Sequence, residues 1–211
     1  MMRWGMVVDV RKCVGCQTCT IACHEENALP PGIFWRHVVD VEVGEYPDVR
    51  RAFLPMGCQH CAEPPCVPVC PTGASQQRAD GIVFVQYDMC IGCGYCAVAC
   101  PYRARHMIHD QDWYFMAPTP SEKKAHDPER HGVMSKCTFC KHRVDKAPAG
   151  ATPGVDPEYT PVCVSSCIAN AMHFGDLDDP NSNVSRLREE HQPGVLLEEL
   201  GLKPSLFYIT E

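Results

Sequence analysis

The stretch Cys90-Ile91-Gly92-Cys93-Gly94-Tyr95-Cys96-Ala97-Val98-Ala99-Cys100-Pro101 decides the fold. Three thiols stand three residues apart, a fourth follows after three more intervening residues, and a proline closes the run. On a tight loop, thiols at that spacing converge on one small object. The fourth lies about one helical turn further on and faces away from it. The pattern recurs along the chain. Before it come Cys13-x2-Cys16-x2-Cys19-x3-Cys23 and Cys58-x2-Cys61-x4-Cys66-x3-Cys70-Pro71, the second with Pro64 and Pro65 inside its widened gap. After it comes Cys137-x2-Cys140, a gap of 22 residues, and Cys163-x3-Cys167. The chain has 16 cysteines, so each of the four groups has four and none is left over.

Three cysteines at x2 followed by one at x3 and a proline is the iron–sulfur run in which the fourth thiolate ligates the neighbouring cluster. Two other readings compete. Structural zinc also uses Cys-x2-Cys, but it combines two such pairs rather than a run of three with an x3 step. A disulfide framework needs an oxidising compartment. The opening Met1-Met2-Arg3-Trp4-Gly5-Met6-Val7-Val8-Asp9-Val10 reaches Cys13 too soon to be expected as a removable signal peptide. Reduced thiols that bind iron–sulfur clusters are therefore the expectation.

Composition points the same way. In 211 residues there are 15 glycines and 19 prolines, which favours turns over long elements. Such a chain builds only a modest apolar core and needs another crosslink. The net charge of -7 argues against a nucleic-acid partner, which would need a basic face. The sequence contains no run of 18 apolar residues, so no membrane-spanning helix is expected. A serine–histidine–aspartate order, a paired-carboxylate motif and a glycine-rich phosphate loop are all missing, so neither a catalytic residue nor a direct small-molecule substrate is expected.

The segment 58–101 reads as a two-cluster unit, with a strand near 74–77, a turn at Asp80-Gly81 and a strand at 82–85. Val7-Val8-Asp9-Val10 and Met172-His173-Phe174 are expected as paired strands of a second unit around it. Val38–Val43 is β-rich, and 146–161 is a loop of Pro, Gly, Ala and Thr. The turn from Asp176 to Ser182 predicts a cap for a helix over 183–191. Leu206-Phe207-Tyr208-Ile209 reads as a docked strand. The expected fold is α+β and loop-rich: two ferredoxin-like 4Fe–4S modules, one inserted in the other. Residues 1–57 and 102–180 form the outer module, 58–101 the inserted one, and 181–211 a C-terminal extension.

Taken together, the four cysteine motifs, Cys70-Pro71-Thr72-Gly73-Ala74, Cys137-Thr138-Phe139-Cys140-Lys141-His142-Arg143 and Gly175-Asp176-Leu177-Asp178-Asp179-Pro180 resemble the four-cluster iron–sulfur subunit of the molybdopterin oxidoreductases, the dimethyl sulfoxide, polysulfide and arsenate reductase group. Gly32-Ile33-Phe34-Trp35 looks most like the arsenate branch, and phenylacetyl-CoA:acceptor oxidoreductases are also similar. The resemblance implies the ligand sets. Cys13, Cys16 and Cys19 would share a cube with Cys167, and Cys137, Cys140 and Cys163 with Cys23. Likewise Cys58, Cys61 and Cys66 would share one with Cys100, and Cys90, Cys93 and Cys96 with Cys70. Some relatives lack the cysteine at the position of Cys93 and hold a three-iron cluster; its presence here implies four 4Fe–4S clusters.

The resemblance further implies an electron relay between a molybdenum or tungsten bis-pterin catalytic subunit and an integral membrane anchor that exchanges electrons with quinone. The chain would then be membrane-associated through its partners on the cytoplasmic face, or exported with a signal-bearing partner. A relay subunit of a hydrogenase or formate dehydrogenase complex, a free polyferredoxin and a zinc-structured module are the alternatives. Lys136, Lys141, His142 and Arg143 bracket one cysteine pair and are either tuning charges or a docking surface. His24 and His60 adjoin cysteines but are not expected to ligate, and His106 and His109 read as ordinary polar residues. Trp113-Tyr114-Phe115-Met116, set between polar flanks, is expected to face a partner rather than the core.

Overall fold

The computed structural model describes residues 2–110 and 112–210. Met1, Gln111 and Glu211, which begin the N-terminal run, open the stretch before Trp113 and end the tail, lie outside the described residues.

In chain order the elements are β1 (Trp4–Asp9), α1 (Thr18–Glu26), β2 (Arg36–Val43), β3 (Arg50–Gly57), β4 (Ser75–Gln77), β5 (Val83–Val85), α2 (Tyr95–Val98), β6 (His106–Met107), α3 (Pro120–Ala125), β7 (Met134–Ser135), α4 (Lys141–Val144), α5 (Val162–Ser165), β8 (Met172–Asp176), α6 (Asn183–His191) and β9 (Leu206–Ile209). The result is a small mixed α/β fold of short elements joined by turns, as the glycine and proline content predicts.

The three-stranded sheet has the order β8-β1-β9. β1 runs antiparallel to β8, with Val7 opposite His173, and parallel to β9, with Val7 opposite Phe207. All six residues of β1 are buried, because a central strand covered on both faces has no solvent side. It starts at Trp4, three residues before the apolar run that announced it. Even Asp9 is buried; a hydrogen bond from Arg11 holds its carboxyl below the usual range against the opposing cost of burial. Behind the sheet lies α6, capped by Ser182, whose hydroxyl accepts from the Ser185 N–H at 3.1 Å.

Three two-stranded ladders complete the architecture: β2–β3, β4–β5 and β6–β7. The β4–β5 hairpin turns at Asp80-Gly81 as expected, with Gly81 at φ +85° and the Asp80 carboxylate accepting from the Ile82 N–H. β3 carries Pro55, a residue that ordinarily argues against a strand. Proline is tolerated here opposite Val38, in a two-stranded ribbon whose far end is exposed.

Cysteines are part of the core rather than additions to it. Cys19, Cys23, Cys58, Cys61, Cys137 and Cys163 pack in one buried cluster with Trp4, Met6, Phe139, Phe174 and Tyr208. Trp4 stacks on Phe174 at 5.2 Å between ring centroids, and Phe139 meets Phe174 edge-on at 5.4 Å.

Candidate iron–sulfur centre

The cysteine loops are built on tight backbone. Gly15 has φ +67° and Gly92 φ +68°. A Cβ at Gly92 would stand 2.3 Å from the Gly132 carbonyl oxygen, so glycine is required there twice over. Helices carry the thiol that begins three of the x3 steps: Cys19 and Cys23 both lie in α1, while α2 carries Cys96 and α5 carries Cys163, each ending before the next cysteine.

All sixteen thiols are free. Three cavities collect twelve of them. Cys13, Cys16, Cys19 and Cys167 line the first. Cys23, Cys137, Cys140 and Cys163 line the second. Cys58, Cys61, Cys66 and Cys100 line the third. The remaining four lie outside these cavities: Cys96 is buried, Cys70 and Cys90 half-buried, and Cys93 exposed.

Electrostatic contacts order the groups. The Cys19 thiol adds to the rise in pKa at Cys163, linking the first and second cavities. Cys58 does the same at Cys137, linking the second and third. Cys66 does so at Cys96, linking the third to the last four.

Burial sets the thiol chemistry in the middle of this row. It pushes Cys61 up to about 12 and Cys137 to about 11, and raises Cys23 and Cys140 well above the ordinary value. In the outer sets burial still raises Cys13, Cys19 and Cys96, but at Cys16 and Cys70 hydrogen bonds win. The Thr18 hydroxyl, 3.3 Å away, lowers the Cys16 thiol. Burial opposes a lowered Cys70, but the Ser75 N–H at 3.4 Å and Thr72 outweigh it. Further backbone donors aim at sulfur: Phe139 N–H at Cys137 and Ala171 N–H at Cys167, each at 3.4 Å.

Three cations are buried among these thiols. Arg36 is 1% exposed and lines the second cavity. Its Nε and Nη1 have no hydrogen-bond partner, while Nη2 reaches Met6 Sδ at 3.3 Å. Burial alone would lower its pKa, but the Cys163, Cys137 and Cys19 thiols raise it instead. Lys136 is 1% exposed and donates to the carbonyls of Cys137 and Val83. Arg105 donates to Cys66 Sγ at 3.0 Å and to the Ser75 hydroxyl at 2.6 Å, and its Nη1 is unpartnered. Among the described residues none of the three pairs with a carboxylate.

An unpaired buried cation is costly unless an anion faces it. Soft thiolate donors around a cavity, with guanidinium nitrogens unpartnered at its wall, suit an anionic iron–sulfur group. Among the described residues no three His, Cys, Asp or Glu side chains converge closely enough for a single ion, so the thiols surround a volume rather than a point.

Of the four residues expected as tuning charges or a docking surface, only Lys136 is deeply buried. Lys141 lies over the Phe84 ring, and His142 and Arg143 pair with Glu26. Arg36 and Arg105 were not expected at the site. Arg36 is distant in sequence from Cys137 and Cys163, so no local spacing marks it, whereas Arg105 follows Cys100 of its own set by five residues. His60 is fully buried and neutral, since burial drives its pKa well below the usual value. Its Nδ1 accepts from the Val83 N–H, and its ring stacks on Phe139 at 3.7 Å. His24 is buried against Phe34. Tyr114, Phe115 and Met116 are exposed, Met116 at 96%, while Trp113 is half-buried against His126.

Residues 49–117 match the 4Fe–4S dicluster domain family. Over 99% of its length the chain is 40% identical to a selenate reductase subunit of Mesobacillus selenatarsenatis, covering 72% of that protein. It is 41% identical to a putative dimethyl sulfoxide reductase iron–sulfur subunit of Halobacterium salinarum, with 100% of this chain and 80% of the relative covered. It is also 38% identical to the arsenate respiratory reductase iron–sulfur subunit of a Shewanella species, covering 99% of this chain and 96% of that one.

Proposed function

This chain belongs to the iron–sulfur subunit family of the molybdopterin oxidoreductases, and we propose that it holds four 4Fe–4S clusters in a row. It is an electron-transfer subunit of a reductase complex. The ligand sets are Cys13, Cys16, Cys19 with Cys167; Cys137, Cys140, Cys163 with Cys23; Cys58, Cys61, Cys66 with Cys100; and Cys90, Cys93, Cys96 with Cys70. The observation that carries this reading is that the first three sets each line one cavity. The electrostatic influence of Cys19 on Cys163, of Cys58 on Cys137 and of Cys66 on Cys96 supports the order of the row.

Bound there, the clusters supply one-electron storage and hopping. The chain's own residues fix their spacing, exclude water from the middle and hold charge beside them. The chain itself carries out no substrate chemistry. One end of the row opens at Cys16 and the other at Cys93, both exposed. Exposed apolar side chains stand beside each end: Val14, Ile21 and Ile168 at the first, Ile91, Tyr95 and Val98 at the second. That pairing supports one partner per end, a molybdenum or tungsten bis-pterin subunit and an integral membrane subunit. Among the described residues no helix is long and apolar enough to cross a membrane, and membrane association would come through that second partner.

The two-module arrangement accords with the same geometry. β1 and β8 pair across most of the chain, and the Cys13 and Cys167 thiols share a cavity. Residues 1–57 and 102–180 would then be one module and 58–101 the other. The extension 181–211 returns β9 to the first sheet.

Cross-ligation gives the test. Cys23→Ser is expected to alter the EPR signal of the cluster held by Cys137, Cys140 and Cys163, leaving that of the Cys13 set in place. Loss of the Cys13-set signal instead would refute the assignment.

A further inference from the structure

Arg36, Lys136 and Arg105 do not lie at random among the thiols. Arg36 lines the cavity of Cys23, Cys137, Cys140 and Cys163, and it also faces Cys19 of the preceding set. Lys136 donates to the carbonyl of Cys137 and to that of Val83, which lines the cavity of Cys58, Cys61, Cys66 and Cys100. Arg105 lines that third cavity, hydrogen-bonds Cys66 and faces Cys96 of the last set. One buried cation thus stands at each of the three junctions between consecutive sets.

We infer that these three cations are fixed positive charges interleaved with the row, each raising the reduction potentials of the two clusters it separates. The inference rests on the cluster assignment above and deepens it. Adding an electron makes a cluster more negative, so a nearby unpaired cation favours the reduced form. Burial strengthens the effect, since little water screens it. The absence of a carboxylate partner among the described residues leaves each charge free to act on the sulfur side. A neighbouring pair sharing one cation also shifts together, which leaves the step between them little changed. Arg36, with two unpartnered nitrogens, is the clearest of the three.

Arg36→Gln, Arg36→Lys and Arg105→Gln would be made in the full chain, purified anaerobically and followed by iron and sulfide content and by EPR during potentiometric titration. Wild-type iron and sulfide content tests the cluster assignment independently of this inference. With that content intact, Arg36→Gln is expected to disfavour reduction of the Cys13-set and Cys23-set clusters by about tenfold or more, which is about 59 mV for a one-electron couple. The other two midpoints stay in place. Arg105→Gln is expected to lower the other two instead, and Arg36→Lys to hold near the wild-type values. Full iron with unmoved midpoints in Arg36→Gln would overturn the inference. If Arg36→Gln fails to assemble, Arg36→Lys decides: assembly with wild-type midpoints supports a charge role, and equal loss of iron overturns it in favour of a purely structural one.

Discussion

The middle of the cysteine row and its two ends are built from the same motif but live in different media. In the middle Cys23, Cys137, Cys140 and Cys163 are all buried, and so are Cys58, Cys61 and Cys66. At the ends Cys16 and Cys93 are exposed. Desolvation dominates the first group, lifting Cys137 to about 11 and Cys61 to about 12, while hydroxyl and backbone donors lower Cys16 and Cys70. The middle must carry its own countercharge, and Arg36, Lys136 and Arg105 supply it. The ends meet solvent and need less. A relay requires this division: closed where electrons pass within the chain, open where they cross to another.

The sharpest way to break the comparison is to remove one thiol from each region. Cys137→Ser should cost at least one whole cluster and much of the fold, because its loop is also core, between Lys136 and Phe139, and metal-binding energy is folding energy. Cys93→Ser should lose about one iron from an exposed corner and leave the rest folded. Iron analysis with thermal melts would measure both, and equal losses would dissolve the distinction between middle and end.

Next in size is a contrast of aromatic side chains. Phe174 is fully buried between Trp4 and Phe139, so Phe174→Ala should destabilise by about 3–5 kcal/mol. Phe115 is exposed, and Phe115→Ala should stay within about 0.5 kcal/mol in the isolated chain. Denaturant unfolding of the two variants checks the difference.

The smallest effect is expected in α3. Thr119 and Glu122 form a reciprocal capping box there, with the Thr119 N–H donating to the Glu122 carboxylate at 2.6 Å. Thr119→Ala should cost about 1 kcal/mol. Hydrogen exchange should show that cost in residues 120–125 and leave β1 unchanged.

Much of this was legible in the sequence where it was local. Asp80-Gly81 marks the β4–β5 hairpin, Ser182 the start of α6, and the apolar runs of β1, β8 and β9 the main sheet. The capping box at Thr119-Pro120-Ser121-Glu122 is equally local, but its polar, loop-like surroundings hide the short helix it starts. Cysteine spacing predicts which thiols lie near one another within each motif. The Cys13–Cys167 and Cys23–Cys137 meetings come from family likeness, since no local pattern links residues more than a hundred positions apart. Arg36 and Arg105 are the real omission. A charge such as Arg36, just before the β-rich run Val38–Val43, declares its role only once the tertiary fold sets it against Cys163.

Iron and acid-labile sulfide per chain, measured on anaerobically purified protein with EPR during reductive titration, decide whether one chain holds four iron–sulfur clusters. About 16 iron and 16 sulfide are expected, with several coupled signals on reduction. Zinc in place of iron, without sulfide and without an EPR signal, would contradict the four-cluster reading.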